Sequence, residues 1–264
     1  VPEEEGADVE LNVRIGKINA DLSIGANVAS AVALRANGNL CSPGVQLYGA
    51  GFIVSPEEAH ALSASVNEAT SQRVIRPYVN GRDFMQSSRG AFVIDFFGYE
   101  QDEARVTFPA AFQRVLDRVK PERDANRRES IRQKWWRFGW ERPVWRAAVT
   151  GLARYITTPE TTKHRVFAWL DARVLPDNRL TNFATDNGLL LGVLCSRVHV
   201  CWALAAGGTL EDRPIYTKST CFEPFGFPVT DGITASRIAS LAEQIDTHRK
   251  RQQAAYPDLT LTGL

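Results

Sequence analysis

Short apolar runs alternate with polar turn signals over residues 9–54, where VELNVRIG, ANGN and SPGVQLYGAGFIVS follow one another. Runs punctuated in this way predict β-strands joined by tight turns, with Gly and Asn supplying the special backbone angles. Ser55-Pro56-Glu57-Glu58 predicts a helix start, with Ser55 as N-cap and acids in the first turn, and the helix is expected to reach about Asn67. RVIRPYVNGRDF (73–84) reads as a strand followed by a turn at Asn80-Gly81. GAFVIDFFG (90–98) is the strongest strand candidate, closed by Gly98.

Residues 108–119 have helical spacing that Pro121 is expected to end, and a second, very basic helix is expected over 123–138. Residues 166–170 and 189–193 read as buried strands. Residues 196–206 read as a helix with Val198, Trp202 and Ala205 on one face. CFEPFGFP (221–228) is too rich in proline and aromatics to extend a helix and predicts a packed, extended closing segment. Residues 233–255 form an amphipathic pattern with a stripe of Ile238, Leu241 and Ile245. These elements make an α+β fold: a twisted, mostly antiparallel sheet, a helical subregion and a C-terminal helix.

Composition narrows the class without naming a function. A hydrophobic share of 44% and a charged share of 23% are those of an ordinary soluble domain. No apolar run approaches the roughly 20 residues of a membrane span. The acidic start at residues 1–8 is unlike a secretory signal, and the first residue, Val1, suggests a piece of a longer chain. Cys41, Cys195, Cys201 and Cys221 lack metal spacing and read as free, mostly buried thiols of a reducing cytoplasm. His60, His164, His199 and His248 are scattered, so no metal site is expected. No phosphate loop, nucleophile elbow, zinc-protease motif or Asn/Asp-Pro-Pro-aromatic tetrapeptide of an amino-methyltransferase occurs, which predicts a chain without catalysis of its own.

Net charge is only +1, but its distribution is uneven: residues 114–146 hold eleven Arg or Lys against five Asp or Glu. That stripe has the electrostatic character of a phosphate-binding surface, and also of a solvated helix face. Within it, RQKWWRFGWERPVWR (132–146) mixes five aromatics with basic side chains. The rings either stack on bases or anchor the core, while the arginines are placed near phosphate. Thr161, Thr162, Lys163, His164 and Arg165 form a polar run of the side chains that usually contact DNA phosphates. Arg128, Arg132, Arg197 and Lys218 are assigned to the same backbone role.

GGTLEDRPIY (207–216) is the sharpest signal. Glu211, Arg213 and Ile215 alternate, so on an extended strand they would share one face. A glutamate accepts from cytosine N4 and an arginine donates to guanine O6 and N7, so the two together would read one C·G pair. The other reading is an intramolecular ion pair in a hairpin.

Long ordered stretches then resemble one family, the MmeI-like (type IIL) restriction–modification enzymes, over nearly the whole chain from about Gly25. They are IRPYVNGRDF, the P-x-R-x-x-N-R-R run at Pro121–Arg128, KWWRFGWERP, RYITTPETTKHRVFAWLD, LGVLCSRVHVCWALAAGGTLEDRPIYTKSTCFEPFGFP and the tail LAEQIDTHRKRQQAAYPDLTLTGL. One departure is Gly226, where the family's closing segment usually has proline. The resemblance implies residues 1–70 joining an upstream methylase core, a target recognition domain over 71–228, and the start of a helical spacer over 229–264. It implies that Glu211 and Arg213 read bases, with Asp212, Ile215 and Arg179 as further specificity positions. The implied partners are double-stranded DNA and the upstream methyltransferase core. S-adenosylmethionine and Mg2+ are implied for the parent enzyme alone, in a bacterial, nucleoid-associated cytoplasmic setting. The alternative is a non-catalytic module that binds a partner protein or the rest of its own enzyme.

Overall fold

The structure, a computed structural model, describes residues 13, 15, 16, 18, 24, 26–64, 66–256 and 258–261. Five of the eight residues of VELNVRIG, where a strand is expected, lie outside them. Among the described residues the fold is α+β, and its strands divide between two four-stranded sheets and one small hairpin.

The first sheet has the order β1 (Cys41–Pro43), β8 (Leu180–Phe183), β5 (Arg154–Pro159), β6 (Ala168–Asp171), all antiparallel. The second has the order β2 (Ile53–Val54), β4 (Phe92–Ile94), β3 (Ile75–Val79), β7 (Leu175–Pro176), with β3 and β7 parallel and the rest antiparallel. A lone parallel bridge between Val45 and Asp177 joins the segments that link the two sheets. From the segment expected to join an upstream core (1–70), the strands β1 and β2 each join one of the two sheets.

Among the described residues two large cores stand beside a smaller third cluster of Phe84, Met85, Val166, Ala168, Leu180 and Leu261. One packs the second sheet against five short helices: α4 (Gln101–Thr107), α5 (Pro109–Arg118), α6 (Lys120–Asp124), α7 (Glu129–Gln133) and α8 (Pro143–Val149). Phe52, Phe96, Phe112, Trp135, Trp136 and Trp145 lie at its centre, so these three tryptophans anchor the core rather than stack on bases. The other core packs the first sheet against α9 (Gly188–Cys195), α10 (Arg197–Ala206) and α11 (Gly232–Ala255), around Phe167, Trp169, Phe183, Tyr216 and Phe222.

Local chemistry explains most of the boundaries. Helix α1 (Pro56–Ser63) starts in a capping box: Ser55 Oγ accepts from the Glu58 amide, and the Glu58 carboxylate accepts from the Ser55 amide. Helix α2 (Glu68–Val74) follows at once, capped by Asn67. Asn80-Gly81 is not a bare turn: Asn80 forms a second capping box with Asp83 and starts α3 (Gly81–Met85). Pro121 opens α6 instead of ending α5, because proline suits a first helical turn.

The single basic helix expected over 123–138 is broken into pieces. Arg123, 1% exposed, donates to the carbonyls of Leu47 and Arg137, and Asn126 accepts from the Arg128 amide, stopping the helix. Residues 189–193 are helical, not a strand. A short apolar run has no periodicity to separate the two, and Asn187 caps it by accepting from the Leu189 amide. Gly192 then lets α11 approach closely, since a Cβ there would stand 2.4 Å from Ile238 Cγ2.

The buried helix faces also differ from the expected ones. On α10, His199 and Ala203 face the core while Val198 is 72% exposed. On α11, Ala242 and Asp246 are buried and Leu241 and Ile245 lie half exposed, lining an apolar groove of about 490 Å3 with Val198, Phe225 and Pro228. The sheet draws α11 round by polar contacts the apolar stripe does not register. Asp246 accepts from the Trp169 amide at 3.1 Å, and Glu243 pairs with Arg154 at 2.6 Å. Finally, residues 218–222 form one π-helical turn, so only the end of the closing segment is irregular.

Candidate nucleic-acid interface

The hairpin β9 (Thr209–Leu210) and β10 (Arg213–Pro214) pairs Leu210 with Arg213, which leaves Glu211 and Asp212 as its two-residue turn. Glu211 is thus not on an extended strand with Arg213. It takes a left-handed backbone (φ 58°), and its carboxylate reaches back to Arg213 Nη2 at 2.6 Å. Both side chains are exposed, and an ion pair in that setting contributes about 0–1 kcal/mol. The pair is present, but it costs little to open. The turn therefore displays an acid and an arginine side by side in solvent.

The strand after the hairpin is pinned from below. Thr161 bridges Ile215, the Thr162 amide donates to the Pro214 carbonyl, and the Tyr216 amide donates to the Glu160 carbonyl. Arg179 sits on the neighbouring loop, 3.2 Å from the Glu160 carboxylate, and its carbonyl accepts from the Glu160 amide. The fold therefore gathers Glu211, Asp212, Arg213, Ile215, Thr161, Thr162 and Arg179 at one end of the first sheet, where β5 finishes and β8 begins. Lys163 and His164 project from the same loop, exposed and with no hydrogen-bond or ion-pair partner among the described residues. Lys218 lies just beyond, 3.2 Å from Glu223.

Arg165 is placed differently from its expected role. Its guanidinium donates to Thr158 Oγ1 and to the carbonyls of Pro159, Glu160 and Pro214, and it stacks over Tyr216 at 5.1 Å. Burial lowers its pKa to about 10, still far above neutrality. These contacts make it a strut between the loop and the hairpin.

Three further cations stand apart from the hairpin. Arg197 is exposed at the opposite end of α10, about 15 Å along the helix from Gly207. Arg128 donates to the Tyr48 hydroxyl at 3.0 Å and Arg132 to the Asn126 carbonyl at 2.6 Å, both in the helical subregion. Residues that the sequence reading missed are Glu160, Asn178 and Thr217. With Arg142, one of the arginines of the 132–146 run, they line a cleft of about 250 Å3 with Arg179 and Lys218 beside the hairpin. No local pattern marks them, because they come from separate connecting segments that only the tertiary fold brings together.

Beneath the hairpin, Tyr216 is fully buried and its hydroxyl lies 2.9 Å from His199 Nε2. His199 is ringed by Phe167, Phe225 and Phe227, and its Nδ1 has no partner. Burial, with a smaller contribution from the Arg165 cation, lowers its pKa to about 4. A histidine depressed below its unfolded value of about 6.5 stabilises the fold fully above that pH. As pH falls from about 6.5 towards 4 the unfolded chain takes up the proton first, and about 3 kcal/mol is lost. Urea unfolding at pH 7 and 4.5 is expected to show that loss in the wild type and a clearly smaller one in His199→Gln. Equal losses in both would remove His199 from the account.

No single helix among the described residues is long and apolar enough to cross a membrane. A search of curated proteins finds no significant relative. The family model described as MmeI, target recognition domain, matches residues 37–229, well over half of the chain. The chain belongs to the MmeI target recognition domain family. A solved structure titled "Structure of Type IIL restriction-modification enzyme MmeI in complex with DNA has implications for engineering of new specificities" shares the fold at a TM-score of 0.73 and 20% identity. The match covers 96% of this chain and 33% of that one, so the chain spans about a third of that polypeptide.

Proposed function

We propose that this chain is the sequence-reading module of a restriction–modification enzyme that methylates adenine at N6. It docks in the major groove of double-stranded DNA and presents the turn at 211–213 to base edges. One observation carries the reading. Glu211 adopts a left-handed backbone that non-glycine residues rarely take, and it holds its carboxylate against Arg213 in open solvent. Glycine or asparagine would make that turn with less strain, so the side chain itself accounts for glutamate there.

Glu211 accepting from cytosine N4 and Arg213 donating to guanine O6 and N7 read one C·G pair. Ile215, Asp212 and Arg179 flank it as further specificity positions. Thr161, Thr162, Lys163 and His164 position the backbone phosphates, with Lys218 beside them. Family membership and the shared fold support this reading.

The upstream methyltransferase core of the same polypeptide is the proposed partner, in a bacterial cytoplasm. S-adenosylmethionine and Mg2+ belong to that partner and to the nuclease. The described residues include no group of three His, Cys, Asp or Glu side chains that would hold a metal ion. What this chain's residues do is bind, orient and read, while a flipped adenine is modified elsewhere.

Mapping modified adenines in DNA from cells that express the full-length parent tests the reading. A single methylated motif containing a C·G pair supports it. An unmodified genome, with the upstream methylase intact, refutes it.

A further inference from the structure

The cleft beside the hairpin holds an arginine charge that the protein does not neutralise. Arg142 lines it, half buried, at the left-handed residue (φ 57°) that precedes α8. Its Nε donates to the Gly44 carbonyl at 3.0 Å, and its guanidinium carbon lies 5.7 Å from the centre of the half-exposed Trp140 ring. No carboxylate pairs with it, and neither Nη atom has an acceptor among the described residues. Its neighbours behave otherwise: Arg179 is paired with Glu160 and Lys218 with Glu223. Three cations and one carboxylate line the cleft, so its field is positive before any ligand arrives.

The backbone fixes Arg142 in advance. Gln46 and Trp140 exchange two main-chain hydrogen bonds (3.0 and 3.1 Å), which tie the arginine's approach to the segment after β1. Pro143 sets the helix start on its other side. A guanidinium held by Nε and by an aromatic face, with both Nη groups free, is pre-organised to donate two parallel bonds to an oxyanion. Burying an uncompensated charge this far costs free energy, which a bound anion would recover.

We propose that Arg142, held by Trp140 and Gly44, is a clamp for a DNA backbone phosphate that fixes the register of the 211–213 turn on the duplex. The proposal rests on the DNA-reading function above and adds a contact to it. The phosphate enters the cleft between Arg142 and Lys218, with Asn178 and the Thr217 hydroxyl at its edge.

The test measures binding of the whole chain to a fluorescent duplex from about 50 to about 200 mM salt. In Arg142→Gln the slope of log affinity against log salt is expected to be shallower by about 0.9, the loss of one phosphate contact. Arg142→Lys, which keeps the charge but loses the Nε bond to Gly44, is expected to restore the slope. An unchanged slope in Arg142→Gln overturns the proposal. Equal slope loss in both variants also overturns it, because the lost contact would then not follow the positive charge at residue 142.

Lys163→Gln is the companion variant. If its slope falls and that of Arg142→Gln does not, the DNA-reading function stands and the clamp alone fails. If the wild type shows no salt-dependent DNA binding, both fail. If inorganic phosphate raises the melting temperature through Arg142 while the DNA slopes do not depend on it, the cleft takes free phosphate and the clamp is rejected.

Discussion

Exchanging Glu211→Lys together with Arg213→Asp in the full-length parent is expected to invert the preference at one C·G pair of the methylated motif. The reversal keeps opposite charges adjacent across the turn, so a merely structural ion pair survives it. What changes is polarity: a donor now stands where cytosine N4 met an acceptor, and an acceptor where guanine met a donor. A wrong base pair typically costs about 1–3 kcal/mol, roughly five- to 160-fold in occupancy, which motif mapping resolves easily. The doubly exchanged enzyme should therefore methylate a motif with G·C at that position. A motif identical to the wild type's would show that the 211–213 pair only closes its hairpin. Loss of all methylation in a protein with wild-type melting behaviour would place the pair in affinity rather than in discrimination.

What the sequence made legible was governed by local chemistry. The Ser55–Glu58 box is decided within a few residues and folds as its pattern predicts, while the long amphipathic pattern ending at Ala255 gives the helix but not its buried face. The strand at Phe92–Ile94 was equally plain, because its apolar and β-branched residues have one compatible environment. The run at 189–193 was opaque for the opposite reason: it is buried, so helix and strand leave the same apolar record.

Side-chain fates depended on partners far away in sequence. Trp135, Trp136 and Trp145 went into the core while Trp140 stayed half exposed, and nothing in the WWRFGW spacing separates them. The family resemblance located the 207–216 segment. It did not give its geometry: the expected alternation of Glu211, Arg213 and Ile215 assumed a strand, whereas the backbone turns at Glu211. A two-residue hairpin still brings the acid and the arginine together, by folding one back on the other.

Arg165→Met is expected to destabilise the chain by about 3 kcal/mol and to leave the salt dependence of DNA binding unchanged. The guanidinium serves the carbonyls of Pro159, Glu160 and Pro214 at once, and each bond from a charged donor contributes about 1.5–3 kcal/mol before relaxation and water access reduce the sum. Without it, the loop at 160–164 and the base of β10 lose their common donor, and the hairpin is free to drift from the sheet. Arg165→Lys should recover only part of the stability, since one ammonium cannot span acceptors on both sides of the loop. Urea unfolding and salt-dependent binding of the same proteins decide between strut and phosphate ligand. A phosphate ligand would lower the slope by about 0.9 at little cost in stability, with lysine restoring it. A strut gives the reverse: a large stability loss, an unchanged slope, and poorer discrimination between motifs, because the reading turn is held in place only as firmly as Arg165 holds the loop beneath it.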